Sequence, residues 1–211
     1  MGAWTVFKKE MRLYFTSPVA YVVFTFFLFI VGIFFSVILV EYNDMSLRAA
    51  MNPVFARDLN VTDVVIRGVF SNTGVILLFF MPMLAMRLFA EEKRSGTIEL
   101  LLTYPVRDGE VLAGKFAAAL VLFLLLLGFT VLYPAIVRYF APVEWGTLLS
   151  GYLGLILLGA ACLAVGVLVS SLTENQVVAG FATFGILLVF WVVGWFADRV
   201  SGNWKAVIQY L

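Results

Sequence analysis

The sequence predicts an all-α, polytopic membrane helix bundle, and three observations lead there. Of 211 residues, 63% are hydrophobic and 13% charged, whereas roughly a quarter are charged in a soluble domain. Five uncharged apolar runs stand out, four of them near the ~20 helical residues that a hydrocarbon core about 30 Å thick requires. None shows the alternation of barrel strands, and lipid offers backbone amides no partner, so each run must close its hydrogen bonds within a helix.

Residues 1–17 come first. Trp4, Phe7, Met11 and Tyr14 fall on one helical face and Thr5, Lys9, Arg12 and Thr16 opposite, which predicts an amphipathic elbow helix lying in the membrane interface. Pro18 separates it from the first crossing, residues 19–40. That run is longer than the ~7–15 apolar residues of a signal peptide, and no small-residue cleavage site follows it before Glu41, so it stays as an anchor. Lys8, Lys9 and Arg12 precede the run and only Arg48 follows closely, which places the amino terminus in the cytoplasm.

The remaining segments alternate in side. Residues 41–68, 138–146 and 198 onward are expected outside, and 87–115 and 170–176 in the cytoplasm. Of the 14 Lys and Arg, eight then lie inside and six outside, so the orientation rests mainly on the first helix. In the outer segment Val61, Val64, Val65 and Gly68 have helical spacing, predicting an interfacial helix available to an extracytoplasmic auxiliary subunit. The second crossing, 74–86, is short unless it begins near Val69. The third, fourth and fifth are 116–137, 147–169 and 177–197, leaving the carboxyl terminus outside. Pro82 and Pro134 kink their helices or shape helix ends. On the fourth helix Ser150 and Gly154, then Cys162, Gly166 and Ser170, repeat small residues at four-residue spacing, a pattern for close helix packing.

Composition excludes many functions. With no histidine and one cysteine, Cys162, the chain cannot supply a His-ligated zinc site, a Cys–His nucleophile or a Ser–His–Asp triad. A net charge of +1 gives no electrostatic case for nucleic acid. No ionisable residue falls midway along a crossing, so neither a proton relay nor a paired-aspartate protease is indicated; Arg87 reads as an interfacial anchor. The string from Gly109 through Gly114 and Lys115 nearly fits a phosphate loop, but Phe116 stands where Ser or Thr must hold magnesium, and no strand precedes it. No cofactor is expected on this chain, and the energy for any work comes from a partner.

The loop 91–115 holds five acidic and four basic residues. Within it Ile98, Leu101 and Leu102 fall at i, i+3 and i+4, one apolar face of a short helix over 95–103. Ser95 or Thr97 caps its start, Gly96 permits the turn, and Pro105 ends it. Periodicity alone does not separate a helix that docks a soluble partner from one lying on lipid. The second cytoplasmic turn carries Thr173-Glu174-Asn175-Gln176, a Thr-x-x-Gln capping box for the fifth helix. Because Thr173, Asn175 and Gln176 share a membrane face with the larger loop, they are also a candidate second cytoplasmic contact.

Residues 86–106, centred on Glu91-Glu92-Lys93-Arg94-Ser95-Gly96-Thr97-Ile98-Glu99-Leu100-Leu101-Leu102 and followed by Gly114-Lys115 and Ser170-Ser171-Leu172-Thr173, resemble the cytoplasmic signature of type-2 ABC transporter permeases. The likeness is to the branch of gliding-motility and nitrous-oxide-reductase maturation permeases, and it covers nearly the whole chain. It implies a single permease domain, residues 1–211, in a bacterial inner membrane, whose loop after the second crossing carries a coupling helix seated in a separate cytoplasmic ATPase. The matching positions are Glu92, Arg94, Gly96, Thr97, Glu99, Leu101 and Leu102. ATP and Mg would be bound by that ATPase, and a second permease subunit, identical or not, would complete the pair. Such permeases have six crossings, which makes a truncated chain the expectation here. A membrane scaffold that docks soluble or extracytoplasmic partners without transport is the alternative.

Overall fold

The computed structural model describes residues 2–51, 60–97 and 107–197, and all regular structure among them is helical. Helix α1 (Ala3–Thr16) ends at Ser17, whose φ of −86° and ψ of 130° place it in the extended region that a following proline enforces. Helix α2 (Pro18–Met51) then runs for 34 residues, where the hydropathy of 19–40 predicts a crossing followed by a loop. Glu41, Asp44 and Arg48 end the apolar run without ending the helix, because no Gly or Pro interrupts residues 33–51.

The second crossing begins earlier than expected. A π-helical turn, Thr62–Ile66, leads directly into α3 (Arg67–Ala85), so the residues read as an interfacial helix are the first turns of the crossing itself. Two local devices make this possible. Asn60 Oδ1 accepts the Thr62 N–H at 2.9 Å, and Arg67 Nε pairs with Asp63 Oδ1 at 2.9 Å, one turn apart. Pro82 lies inside α3. Residues 86–89 form turns, and a short helix α4 (Ala90–Arg94) follows.

Helix α5 (Asp108–Thr130) starts where the Arg107 N–H donates to Glu110 Oε2 at 3.3 Å. It breaks at Val131 and resumes as α6 (Leu132–Phe140). Pro134 accounts for the break, since it has no N–H for the Thr130 carbonyl and its ring crowds that carbonyl. Helices α7 (Trp145–Leu172) and α8 (Gln176–Ala197) match the fourth and fifth runs. The start of α8 differs in its cap. Asn175 Oδ1 accepts the N–H groups of Val177 at 2.9 Å and Val178 at 3.4 Å, and Thr173 Oγ1 accepts only the Asn175 N–H, at 3.2 Å. The helix therefore begins two residues later than a Thr173 capping box places it, with Asn175 at the N-cap.

Five helical stretches are long and apolar enough to cross a bilayer: Ala20–Met51, Thr62–Arg94, Asp108–Phe140, Trp145–Leu172 and Gln176–Phe196. Large apolar side chains such as Phe26, Phe29, Leu153, Leu157 and Phe181 are exposed on them, as lipid-facing side chains should be. The protein is thus a polytopic all-α membrane helix bundle.

The chain divides into two compact units, Met1–Phe80 with Pro105–Ala161, and Met81–Tyr104 with Cys162–Leu211. In the first, α2 packs through Phe27, whose ring meets Phe80 edge-on at 5.2 Å. The Tyr133 hydroxyl of α6 donates to the Leu28 carbonyl at 2.8 Å, and Gly151 of α7 gives room to the Phe70 ring. In the second, the last turn of α3 packs on α7 and α8. A Cβ at Gly166 would collide with Ala85 Cβ, and one at Gly180 would come within 3.2 Å of Met86 Sδ.

Candidate functional site

The polar segment after α3 is built by a chain of local constraints. Glu91 and Glu92 occupy the first turn of α4 and Lys93 and Arg94 the last, the charge order that the helix dipole favours. Gly96, at φ 68°, takes the left-handed conformation that ends the helix, a position glycine fills without a Cβ penalty. The Ser95 hydroxyl donates back to the Glu91 carbonyl at 2.9 Å and shares a 2.8 Å hydrogen bond with the Thr97 hydroxyl. Glu92 is buried, whereas Arg94, Gly96 and Thr97 are exposed. Glu99, Leu101 and Leu102 lie outside the described residues.

Two consecutive residues at the end of α7 hold this segment. Ser170 is fully buried; its Oγ accepts the N–H groups of Phe89 and Ala90, both at 3.1 Å, and donates to the Met86 carbonyl at 3.0 Å. Lys93 Nζ donates to the Ser171 carbonyl at 2.6 Å, which satisfies one of the last acceptors of α7 with a positive charge. The turn that follows places Thr173 and Gln176 half-buried and Asn175 exposed, with Thr173 and Asn175 engaged in the cap. Through the Lys93–Ser171 bond, α4 sits beside the end of the helix from which that turn departs.

Among the small residues of α7, Cys162 is buried and Gly166 faces Ala85. Ser150 is exposed and donates to the Thr147 carbonyl at 3.2 Å. A Cβ at Gly154 would meet nothing within 4 Å. Arg87 is half-buried, and its Nε has no hydrogen bond among the described residues.

A second polar cluster belongs to the other unit. Lys115, in the second turn of α5, is 1% exposed and Glu10 of α1 is 6% exposed; Nζ and Oε1 are 2.8 Å apart. The preceding Gly114 makes this approach possible. A Cβ there would lie 2.7 Å from the Ala3 carbonyl oxygen and 2.8 Å from Val6 Cβ. The string that fails as a phosphate loop is therefore the seat of α1: glycine admits the helix and lysine fixes it. The face of α1 turned inward is Val6 with Glu10, and Trp4 points out at 64% exposure, stacked on Phe7. Sequence reading placed Ser170 in a stripe of small packing residues and Gly114-Lys115 in the family signature, but missed the hydrogen bonds of Ser170 and the pairing of Lys115 with Glu10. A carboxylate one turn after Val6, on an apolar face, is the one local sign of the pair.

Five apolar spans and a pinned polar segment define a multi-pass membrane protein with its polar work at the helix ends. The chain belongs to the ABC-2 family of transporter proteins, whose family model (ABC-2 family transporter protein) matches residues 4–205, nearly its whole length. It is accordingly a membrane permease component of an ABC transporter. No curated protein and no solved structure matches it.

Proposed function

We propose that this permease converts ATP hydrolysis by a separate cytoplasmic ATPase into movement of a substrate across a bacterial inner membrane. In this reading the amino terminus and α4 face the cytoplasm, and Glu92, Arg94, Gly96, Thr97, Glu99, Leu101 and Leu102 form the coupling segment that the ATPase grips. Ile98, Leu101 and Leu102 supply an apolar ridge and the charges fix its register. Thr173, Asn175 and Gln176 give a second, smaller contact. ATP and Mg belong to the ATPase, and a second permease subunit, identical or related, completes the transporter. An extracytoplasmic subunit would meet the outer ends of α2 and α3. The Glu-Glu-Lys-Arg-Ser-Gly-Thr run at 91–97 favours the gliding-motility and nitrous-oxide-reductase maturation branch.

The observation that carries the reading is the course of residues 90–97: helix α4 is anchored on its buried side, while Arg94 to Thr97 leave it exposed and turned by Gly96. A segment fixed at one edge and solvent-exposed at the other is suited to receive a push. Replacing Leu101 and Leu102 together by Asp tests it. The variant should insert into membranes at wild-type levels yet lose co-purification of the ATPase; retention of the ATPase would overturn the assignment.

A further inference from the structure

The helical ladder of the second span is interrupted at residues 86–89, and one side chain bridges the gap. Met86 N–H still donates to the Pro82 carbonyl at 2.9 Å, and the next ladder on the far side opens with Lys93 N–H to the Phe89 carbonyl at 3.0 Å. Between them the Phe89 and Ala90 N–H groups both turn to Ser170 Oγ, and the hydroxyl hydrogen goes to the Met86 carbonyl. A hydroxyl has one donor and two acceptor sites, so Ser170 has its whole hydrogen-bonding capacity in use, away from solvent. Lys93 adds a tie one residue further along α7.

The mechanical consequence follows from which links are stiff. Turn residues absorb backbone rotation without losing a ladder. Displacing Ser170 instead strands the buried Ala90 N–H and the partly buried Phe89 N–H and Met86 carbonyl, where unmade hydrogen bonds are costly. Gly166 against Ala85 leaves no slack one turn away. We infer that Ser170 is a positioning residue that passes displacement of the α4 segment to α7. The inference rests on the proposed grip of an ATPase on residues 92–102, and adds the route by which that grip reaches a membrane helix.

Hydrogen exchange on the full chain in lipid nanodiscs, alone and with its co-purified ATPase, tests it through Ser170→Ala, Ser170→Thr and Lys93→Met. In the chain alone, Ser170→Ala should speed exchange in residues 87–90 at least tenfold, well beyond any change in the other helices; Ser170→Thr should restore protection, and Lys93→Met should give a smaller rise. Unchanged exchange in both Ser170→Ala and Lys93→Met overturns the latch.

With the ATPase bound, trapping with ATP, Mg and orthovanadate should change exchange at residues 165–172 of wild type and Ser170→Thr. Ser170→Ala should retain the ATPase and lose that change. A wild-type-like response from Ser170→Ala overturns the transmission route and leaves the proposed function standing. Failure of the wild-type chain to retain any ATPase overturns the proposed function, and the route with it.

Discussion

A carboxylate and an ammonium taken out of solvent hold each other only as a pair. Glu10 and Lys115 meet at 2.8 Å with side chains 8% and 2% exposed, and Lys9 Nζ lies farther off, 3.8 Å from the same Glu10 oxygen, so removing one partner takes away the other's closest buried counter-charge. Glu10→Gln or Lys115→Met alone should cost about 3–5 kcal/mol, whereas the combined Glu10→Leu and Lys115→Met chain, with neither charge, should recover most of that loss. Thermal unfolding in detergent micelles measures all three. Two silent single variants would mean that water or lipid headgroups reach the pair. The pair was not legible in the sequence because its members stand 105 positions apart; the hydrogen bonds of Ser170 reach 80 to 84 positions. Spacing within one helix reports neighbours at three and four residues and is blind to such partners.

At the level of elements, hydropathy located all five crossings because the requirement for an apolar stretch is strict. It misplaced ends because polarity and helicity are different properties. Glu41, Asp44 and Arg48 close an apolar run, yet each is compatible with the helix that carries on to Met51. The Asp63–Arg67 pair similarly hides two charges in the opening turns of the second span. Capping shows the same limit: Thr173 and Asn175 are both good N-cap residues, and only the position of Gln176 at the first helical turn decides between them. Asn175→Ala should lower stability by about 1 kcal/mol, since it exposes the Val177 and Val178 N–H groups, and Thr173→Ala by clearly less. Chemical denaturation of the two variants side by side checks the order, and a reversed order would restore the Thr173 box.

For the molecule as a whole, the proposed orientation makes a labelling prediction. Cys162 is the one cysteine in the sequence and is buried, so Cys162→Ala gives a background free of thiols. On it, Met51→Cys, 88% exposed in the native residue, should react with a membrane-impermeant maleimide in intact cells, provided that the reagent passes any outer membrane. Arg94→Cys should react only after the membrane is opened. The opposite pattern would invert the protein and remove α4 from reach of ATP-driven machinery. The apolar ridge that the spacing of Ile98, Leu101 and Leu102 predicts falls outside the described residues.

The length of α2 has a consequence of its own. Thirty-four residues at 1.5 Å each make a rod of about 51 Å, some 20 Å longer than the hydrocarbon layer is thick. Its base is the bend at Ser17 and Pro18, next to the clamp of α1 on α5. A swing of about 10° at that base sweeps the Met51 tip through roughly 9 Å. A small tilt at one leaflet would thus become a broad stroke beyond the other, with the Glu10–Lys115 clamp beside the pivot.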